Sequence, residues 1–189
     1  MVEIVTYQPG WPAEFREIAA RLRQALGTLA LLRIDHIGST SVPGLNAKDV
    51  IDVQITVAAL NDEVVAAVQS AGYTLAEGTW RDHCPPTLTD SAADWEKFFF
   101  RPPAGQRRTN THMRVQGSAN QRYPLLFRDY LRVHPATAGA YAELKRRLAA
   151  NLADPQTYPD VKDPAVDLIY FAAEAWAAAT HWQPGPSDA

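Results

Sequence analysis

Strand-like segments through the first two thirds of the chain and helix-periodic segments through the last third predict an α+β fold. Three observations carry this. β-branched and polar residues alternate in "VIDVQITV" (50–57); apolar residues recur at three- and four-residue intervals across 121–134, 135–152 and 164–181; and no internal repeat or low-complexity stretch divides the chain. With 189 residues and 47% hydrophobic content, the chain is long enough to bury one core. The expectation is a single domain over 1–182 with a flexible tail over 183–189.

The elements follow in order. Trp11, Phe15, Ile18, Leu22 and Leu26 share a helical face, with Pro12 suited to a first turn and Gly27 as a stop. "LLRIDHIG" (31–38) and 50–57 read as strands around a turn. "NDEVVAAVQSAG" (61–72) has a capping Asn61, acids in its first turn and a terminal Gly72, which makes a second helix. "YTLAE" follows as a short strand. The stretch 78–94 has no period and many turn formers, so it is a long loop of the kind that often carries function. "WEKFFFR" (95–101) and "THMRVQG" (111–117) read as a hairpin around the basic turn "PPAGQRR", and the three helical segments complete the chain.

Composition limits the function. Eighteen Lys and Arg against 21 Asp and Glu give a formal net charge of -3, so no global field draws the protein to nucleic acid or to an anionic membrane. A single cysteine, Cys84, excludes an internal disulfide and any cysteine-based zinc cluster and fits a reducing compartment. Neither a leader nor an apolar run of spanning length is evident, so a cytoplasmic protein is expected.

One segment carries chemistry: "HIGSTSVPGLNAKDVIDVQITV" (36–57). Gly38 lets the chain turn sharply after a strand, and Ser39, Thr40 and Ser41 offer hydroxyls beside backbone amides that can converge on an anion. Lys48 adds a point charge. In the next strand the period of two places Asp52 and Gln54 on one face. A carboxylate facing a phosphate turn suits magnesium-assisted phosphoryl or nucleotidyl transfer, but Gln54 is a neutral amide where a second acid is needed.

At these residues the sequence resembles the GrpB family, a branch of the nucleotidyltransferase superfamily also found fused to dephospho-CoA kinases. The likeness runs from about Val5 to about Ala178 through "HIGSTSVPGLNAKDVIDV", "THMRV" (111–115), "LLFRDYLRVHP" (125–135) and "YAELKRRLA" (141–149). It implies a nucleotidyltransferase-like core, with a short mixed sheet backed by helices and a C-terminal helical part. It also implies that Gly38 and Ser39 grip phosphate and that Asp52 is the first metal-binding acid, with Mg2+ as the expected cofactor. Gln54 departs from the second acid, and His112 and Arg114 stand where a third would be, an arrangement suited to an anion.

The catalytic candidates are therefore Asp52, which is also the candidate metal ligand, and Lys48. The candidates for binding phosphate are Gly38, Ser39, Thr40, Ser41, His112, Arg114, Arg128 and Arg132. Arg128 and Arg132 share a helix face near which Lys145 is expected. His36 is either structural or a pocket residue. Arg101, Arg107 and Arg108 are either solvated turn charges or a polyphosphate clamp. Tyr123, Phe127, Tyr130, Tyr141 and Trp176 fall mostly at core spacing, with room for one or two to stack a base. His83 and Cys84 lack a metal-binding pattern. Three functions stand: metal-assisted transfer, a ligand-binding module with a disarmed metal site, and an accessory domain that partners a metabolic enzyme. The ligand in the first two is a nucleotide or another phosphorylated small molecule, and nucleic acid is not a partner.

Overall fold

The computed structural model describes residues 2–27, 29 and 31–189; the expected domain's first position, Met1, lies outside them. The early helix α1 (Trp11–Leu26) buries the five-residue face read from the sequence, with Pro in its first turn and Gly27 just past its end. β1 (Leu31–Ile37) and β2 (Ile51–Val57) pair antiparallel around the Gly38 turn. α2 (Asp62–Ser70) starts at Asn61, whose side chain accepts from the Val64 amide.

After α2 come β3 (Thr74–Leu75), β4 (Phe98–Arg101) and β5 (Thr109–Val115). The sheet order is β1-β2-β5-β4-β3. β2 and β5 run parallel, whereas β4 pairs antiparallel with both β5 and β3, so the sheet is mixed and β4 and β5 form the expected hairpin. The β2–β5 register sets Asp52 opposite Asn110 and Gln54 opposite His112.

Alternation along β2 then divides the molecule. Ile51, Val53, Ile55 and Val57 join α1, α2, Phe100 and Met113 in one apolar core. Burying such side chains is worth about 2 kcal/mol each, which fixes that face of the sheet. The other face carries Asp52, Gln54 and Thr56 and is covered by the helices α3 (Ala119–Val133), α4 (Pro135–Asn151) and α5 (Tyr158–Thr180). Those helices have a second apolar cluster around Leu126, Tyr130, Leu131, Tyr141 and Ala173. Polar strand residues facing a helical layer leave a gap, and the gap is the candidate site.

Three details differ from the sequence reading. α5 begins at Tyr158 and not at Pro164. Pro159 sits in the first turn, where no N–H is needed, while Pro164 lies inside the helix and forgoes one backbone bond. Residues Ala92–Trp95 form a 3-10 turn closed by a Ser91–Asp94 capping box, so β4 starts only at Phe98.

The third difference is the tail, which docks against β1. Ser187 Oγ accepts from the Ile34 amide at 3.1 Å and donates to the Ile34 carbonyl at 2.6 Å; the Asp188 carboxylate accepts from the His36 amide at 3.0 Å. β1 is an edge strand, and its outward donors and acceptors are a template for unwanted pairing unless covered. Two tail side chains cover them.

Candidate functional site

Gly38 adopts φ 69° and ψ -172°, a conformation essentially reserved for glycine. A Cβ there would lie 2.2 Å from Asp52 Oδ2, so the missing side chain lets the turn close onto the carboxylate. The 3-10 turn Ser39–Ser41 follows. Ser41 Oγ donates back to the Gly38 carbonyl at 2.6 Å, and Thr40 Oγ1 bonds His36 Nε2 at 2.9 Å and the Val50 carbonyl at 3.4 Å. His36 stacks on Phe15 with a ring separation of 4.8 Å. Burial, with Arg132 and Arg128 nearby, lowers its pKa to about 3, so it is a neutral structural group. Ser39 is left facing the gap.

That gap is a cavity of about 370 Å³ bounded by the turn, Lys48, Asp52, Tyr141, Lys145, Tyr158 and Lys162 on one side. Lys145 is 3% exposed. Its Nζ donates to Ser39 Oγ at 2.8 Å and to the Asn46 carbonyl at 2.6 Å, and lies 4.6 Å from the Tyr141 ring centre. Burial first, then the like charges of Lys162 and Lys48, lowers its pKa to about 7 against the pull of Asp52. Lys48 Nζ sits 3.7 Å over the Tyr158 ring; burial and Lys162 lower its pKa too. Asp52 accepts from Asn110 Nδ2 at 2.7 Å. Desolvation raises its pKa, while Asn110 and the cations Lys162, Arg114 and Lys145 oppose the rise.

The facing wall is a closed polar network. Arg114 donates to Gln54 Oε1 at 2.6 Å and, through Nε and Nη2, to Asp82 at 2.8 and 3.0 Å. Lys97 and Asn120 also donate to Asp82, at 2.6 and 3.1 Å. Burial alone would raise the Asp82 pKa, but Arg114, His112 and Lys97 hold it well below the usual carboxylate range. Gln54 uses its other end on the Gln121 carbonyl at 3.0 Å. Further along, His83 Nε2 lies 2.9 Å from Asp167 Oδ2, and Tyr123 donates to Asp167 Oδ1 at 3.2 Å.

A protein-family model described as GrpB protein matches residues 1–171. The chain belongs to the GrpB family. It superposes on the crystal structure of conserved protein GrpB from Enterococcus faecalis with a TM-score of 0.72 at 30% identity, covering 92% of this chain and 99% of that one. It is 39% identical to a Mycobacterium tuberculosis protein named dephospho-CoA kinase over 96% of this chain and 48% of the relative. It is also 37% identical to the UPF0157 protein PA4798 of Pseudomonas aeruginosa, over 95% and 70%. The chain thus spans about half the length of the kinases it matches.

In this GrpB chain the residues singled out from the sequence divide into two groups. Gly38, Ser39, Thr40, Lys48, Asp52 and Arg114 border the cavity, as do His83, Tyr123, Phe127, Tyr141 and Lys145. The rest face elsewhere. Ser41 is turned back into its own turn. His112 Nδ1 lies 3.4 Å from Lys97 Nζ and 3.3 Å from Arg114 Nη2, bracing the Asp82 network. Arg128, 2% exposed, donates to the His36 carbonyl at 3.0 Å and pairs with Asp188, and Arg132 donates to the Ser41 carbonyl at 2.9 Å. Both hold the turn through backbone carbonyls, and Arg132, His36, Ser41 and Asp188 lie together away from the main cavity. Arg107 pairs with Glu14 and Asp49, and Arg101 and Arg108 are exposed.

The donors do not fit a pair of magnesium ions. Among the described residues Asp52 is the one strand carboxylate that borders the cavity; Asp35, opposite Gln54 on the same face, is paired with Arg33, Gln54 is committed to Arg114 and Gln121, and Arg114 brings a cation where a third acid would stand. No three His, Cys, Asp or Glu side chains converge as a metal site among the described residues. Lys162, Tyr158, Asn110 and Asp82 are the site residues missed from sequence, and Lys145, expected only beside Arg128 and Arg132, lies on the cavity wall. For Lys145 a signal existed: the buried face of α4 runs Ala138, Tyr141, Lys145, the lysine continuing the apolar stripe at helical spacing.

Proposed function

We propose that this GrpB-family chain binds the phosphate groups of a nucleotide or another phosphorylated small molecule between the Gly38 turn and the α4–α5 wall. The observation that carries the reading is the set of three lysines, 48, 145 and 162, lining one cavity with the serine-rich turn. Lys145 is already hydrogen-bonded to Ser39. An incoming anion would restore its full charge and accept from it, and a charge-assisted bond of this kind is worth about 1.5–3 kcal/mol.

Trp95 and Tyr158 also line the cavity, and their Nε1 and OH atoms are buried without a hydrogen-bond partner, a state that a ligand group or water would relieve. Tyr123, Phe127 and Trp95 supply apolar surface for the organic part of the ligand. Asp52 would orient a ligand hydroxyl. Magnesium would enter only as a polyphosphate's own counter-ion, since the protein's donors do not build a cluster for it.

Calorimetric titration of ATP, GTP, CTP, UTP and tripolyphosphate, each with and without Mg2+, tests the reading. At least one should bind wild type, and Lys145→Met should weaken it by about 10- to 100-fold, the loss of one charge-assisted bond. Equal affinity in wild type and Lys145→Met, or no binding by any of the five, refutes it. The accessory reading has its own observation, the match of this unit to 48% of a protein named dephospho-CoA kinase. It predicts that a separately expressed kinase of that name co-elutes with this chain; independent elution argues against it.

A further inference from the structure

A transfer reaction at this cavity needs a proton acceptor. On the strands, Gln54 and Arg114 occupy alternate positions, and the one carboxylate, Asp52, has Oδ1 bonded to Asn110 and Oδ2 packed beneath Gly38. The long loop after β3 brings an imidazole. Among the described residues, His83 is the only histidine that lines the cavity. Its Nε2 is held by Asp167, whose other oxygen is fixed by Tyr123. Asp167 is 7% exposed, whereas the His83 side chain is 42% exposed. A carboxylate so fixed holds the imidazole in the tautomer with hydrogen on Nε2 and leaves the Nδ1 lone pair available.

We propose that His83, oriented by Asp167, is the general base of a phosphoryl- or nucleotidyl-transfer site whose substrate is a phosphoanhydride or phosphate ester and whose acceptor is a hydroxyl or water. This rests on the phosphate-binding reading above. In the step, the acceptor oxygen forms a bond to phosphorus while its proton passes to His83 Nδ1. The bond from phosphorus to the leaving oxygen breaks, and the electron pair departs with the leaving phosphate, whose charge Lys48, Lys145 and Lys162 offset. The imidazolium is stabilised by Asp167 and returns its proton to the leaving group or to solvent. Asp167 acts as a positioning residue. Ionisable groups that share the cavity or the loop with His83 include Asp163 and Lys162 on α5, Tyr123 on α3, and Asp82, Cys84 and Asp90 on the loop.

The arrangement also pins the loop to α5, so the experiment must separate chemistry from anchoring. Hydrolysis of ATP and of p-nitrophenyl phosphate, with and without Mg2+, is followed by wild type, His83→Gln, His83→Ala and Asp167→Asn, and calorimetric binding of ATP is measured on the same samples. Wild type should turn over at least one probe with a rate that rises with pH along one limb. His83→Gln should lose about 100-fold or more in kcat, the usual contribution of a general base, with ATP binding changed by less than about threefold and the limb abolished. Added imidazole should restore part of the rate in His83→Ala, which a mere anchor would not allow. Turnover in His83→Gln within threefold of wild type overturns the proposal, as does the absence of turnover in wild type. In either case the binding heats decide separately whether the phosphate site stands.

Discussion

Gly38→Ala isolates the contact on which the site is built. An alanine at φ 69° and ψ -172° is strained by about 1–3 kcal/mol. Its Cβ would also stand 2.2 Å from Asp52 Oδ2 and 2.8 Å from Cγ, so the carboxylate must swing away from Asn110 and surrender a charged hydrogen bond worth about 1.5–3 kcal/mol. The two costs together come to about 4 kcal/mol, and at about 2–4 °C per kcal/mol for a chain of this size the thermal midpoint should fall by roughly 8–16 °C. Circular dichroism melts of Gly38→Ala, Asp52→Ala and the double variant measure this directly. Asp52→Ala removes the two closest atoms, so Gly38→Ala should cost about 2 kcal/mol less in that background. Additive costs, or a midpoint within 2 °C of wild type, would show that the turn does not rest on the carboxylate and that the pairing of Gly38 with Asp52 is misread.

Lys145, lowered to about 7 by burial, should take up a proton when an anion binds. Titrations at pH 8 in buffers of different ionisation enthalpy should differ by close to one proton, and identical heats in all buffers, or a difference that persists in Lys145→Met, would refute it. Because the folded pKa lies below the unfolded value of 10.5, the unfolded chain binds the extra proton between these limits, so this group makes stability rise with pH from about 7 to 10.5. Lys145→Met should flatten that slope in denaturant melts. Asp82→Asn leaves Arg114 and Lys97 short of a partner and should cost about 3 kcal/mol at pH 7. The Asp82 pKa is depressed on folding, so its stabilisation is present above about pH 4 and fades as pH falls through the folded value; a difference from wild type that is as large at pH 2 as at pH 7 would contradict it. Deleting 183–189 removes Asp188 from Arg128 and bares the edge of β1, and light scattering should then show concentration-dependent association; a monodisperse, equally stable product would refute the edge-covering role.

What was legible in the sequence was whatever depends on neighbours along the chain. The period of two in 50–57 placed Asp52 and Gln54 together, the helical stripe of 11–26 placed α1, and the glycine after a strand placed the turn. What was not legible depends on pairings across the fold. Arg128 and Arg132 belong to the same helix face as expected, but nothing local says that this face meets the back of the turn and not its mouth. The tail looked unanchored because "PGP" has no period of its own; its anchor is the outward amide row of β1, which exists only once the sheet order is known. His83 and Asp167 are 84 residues apart, so neither carries a sign of the other. Gln54 is the instructive case. As a strand residue it looked like a lost metal ligand, whereas its two ends tie Arg114 to the start of α3. An acid at position 54 would keep a partner in Arg114 but would face the Gln121 carbonyl with an oxygen in place of an N–H, at a cost of a kind that buried polar groups rarely bear. In this chain the neutral amide is therefore what the network needs, and the base we propose for the cavity comes from the loop that closes over it and not from position 54.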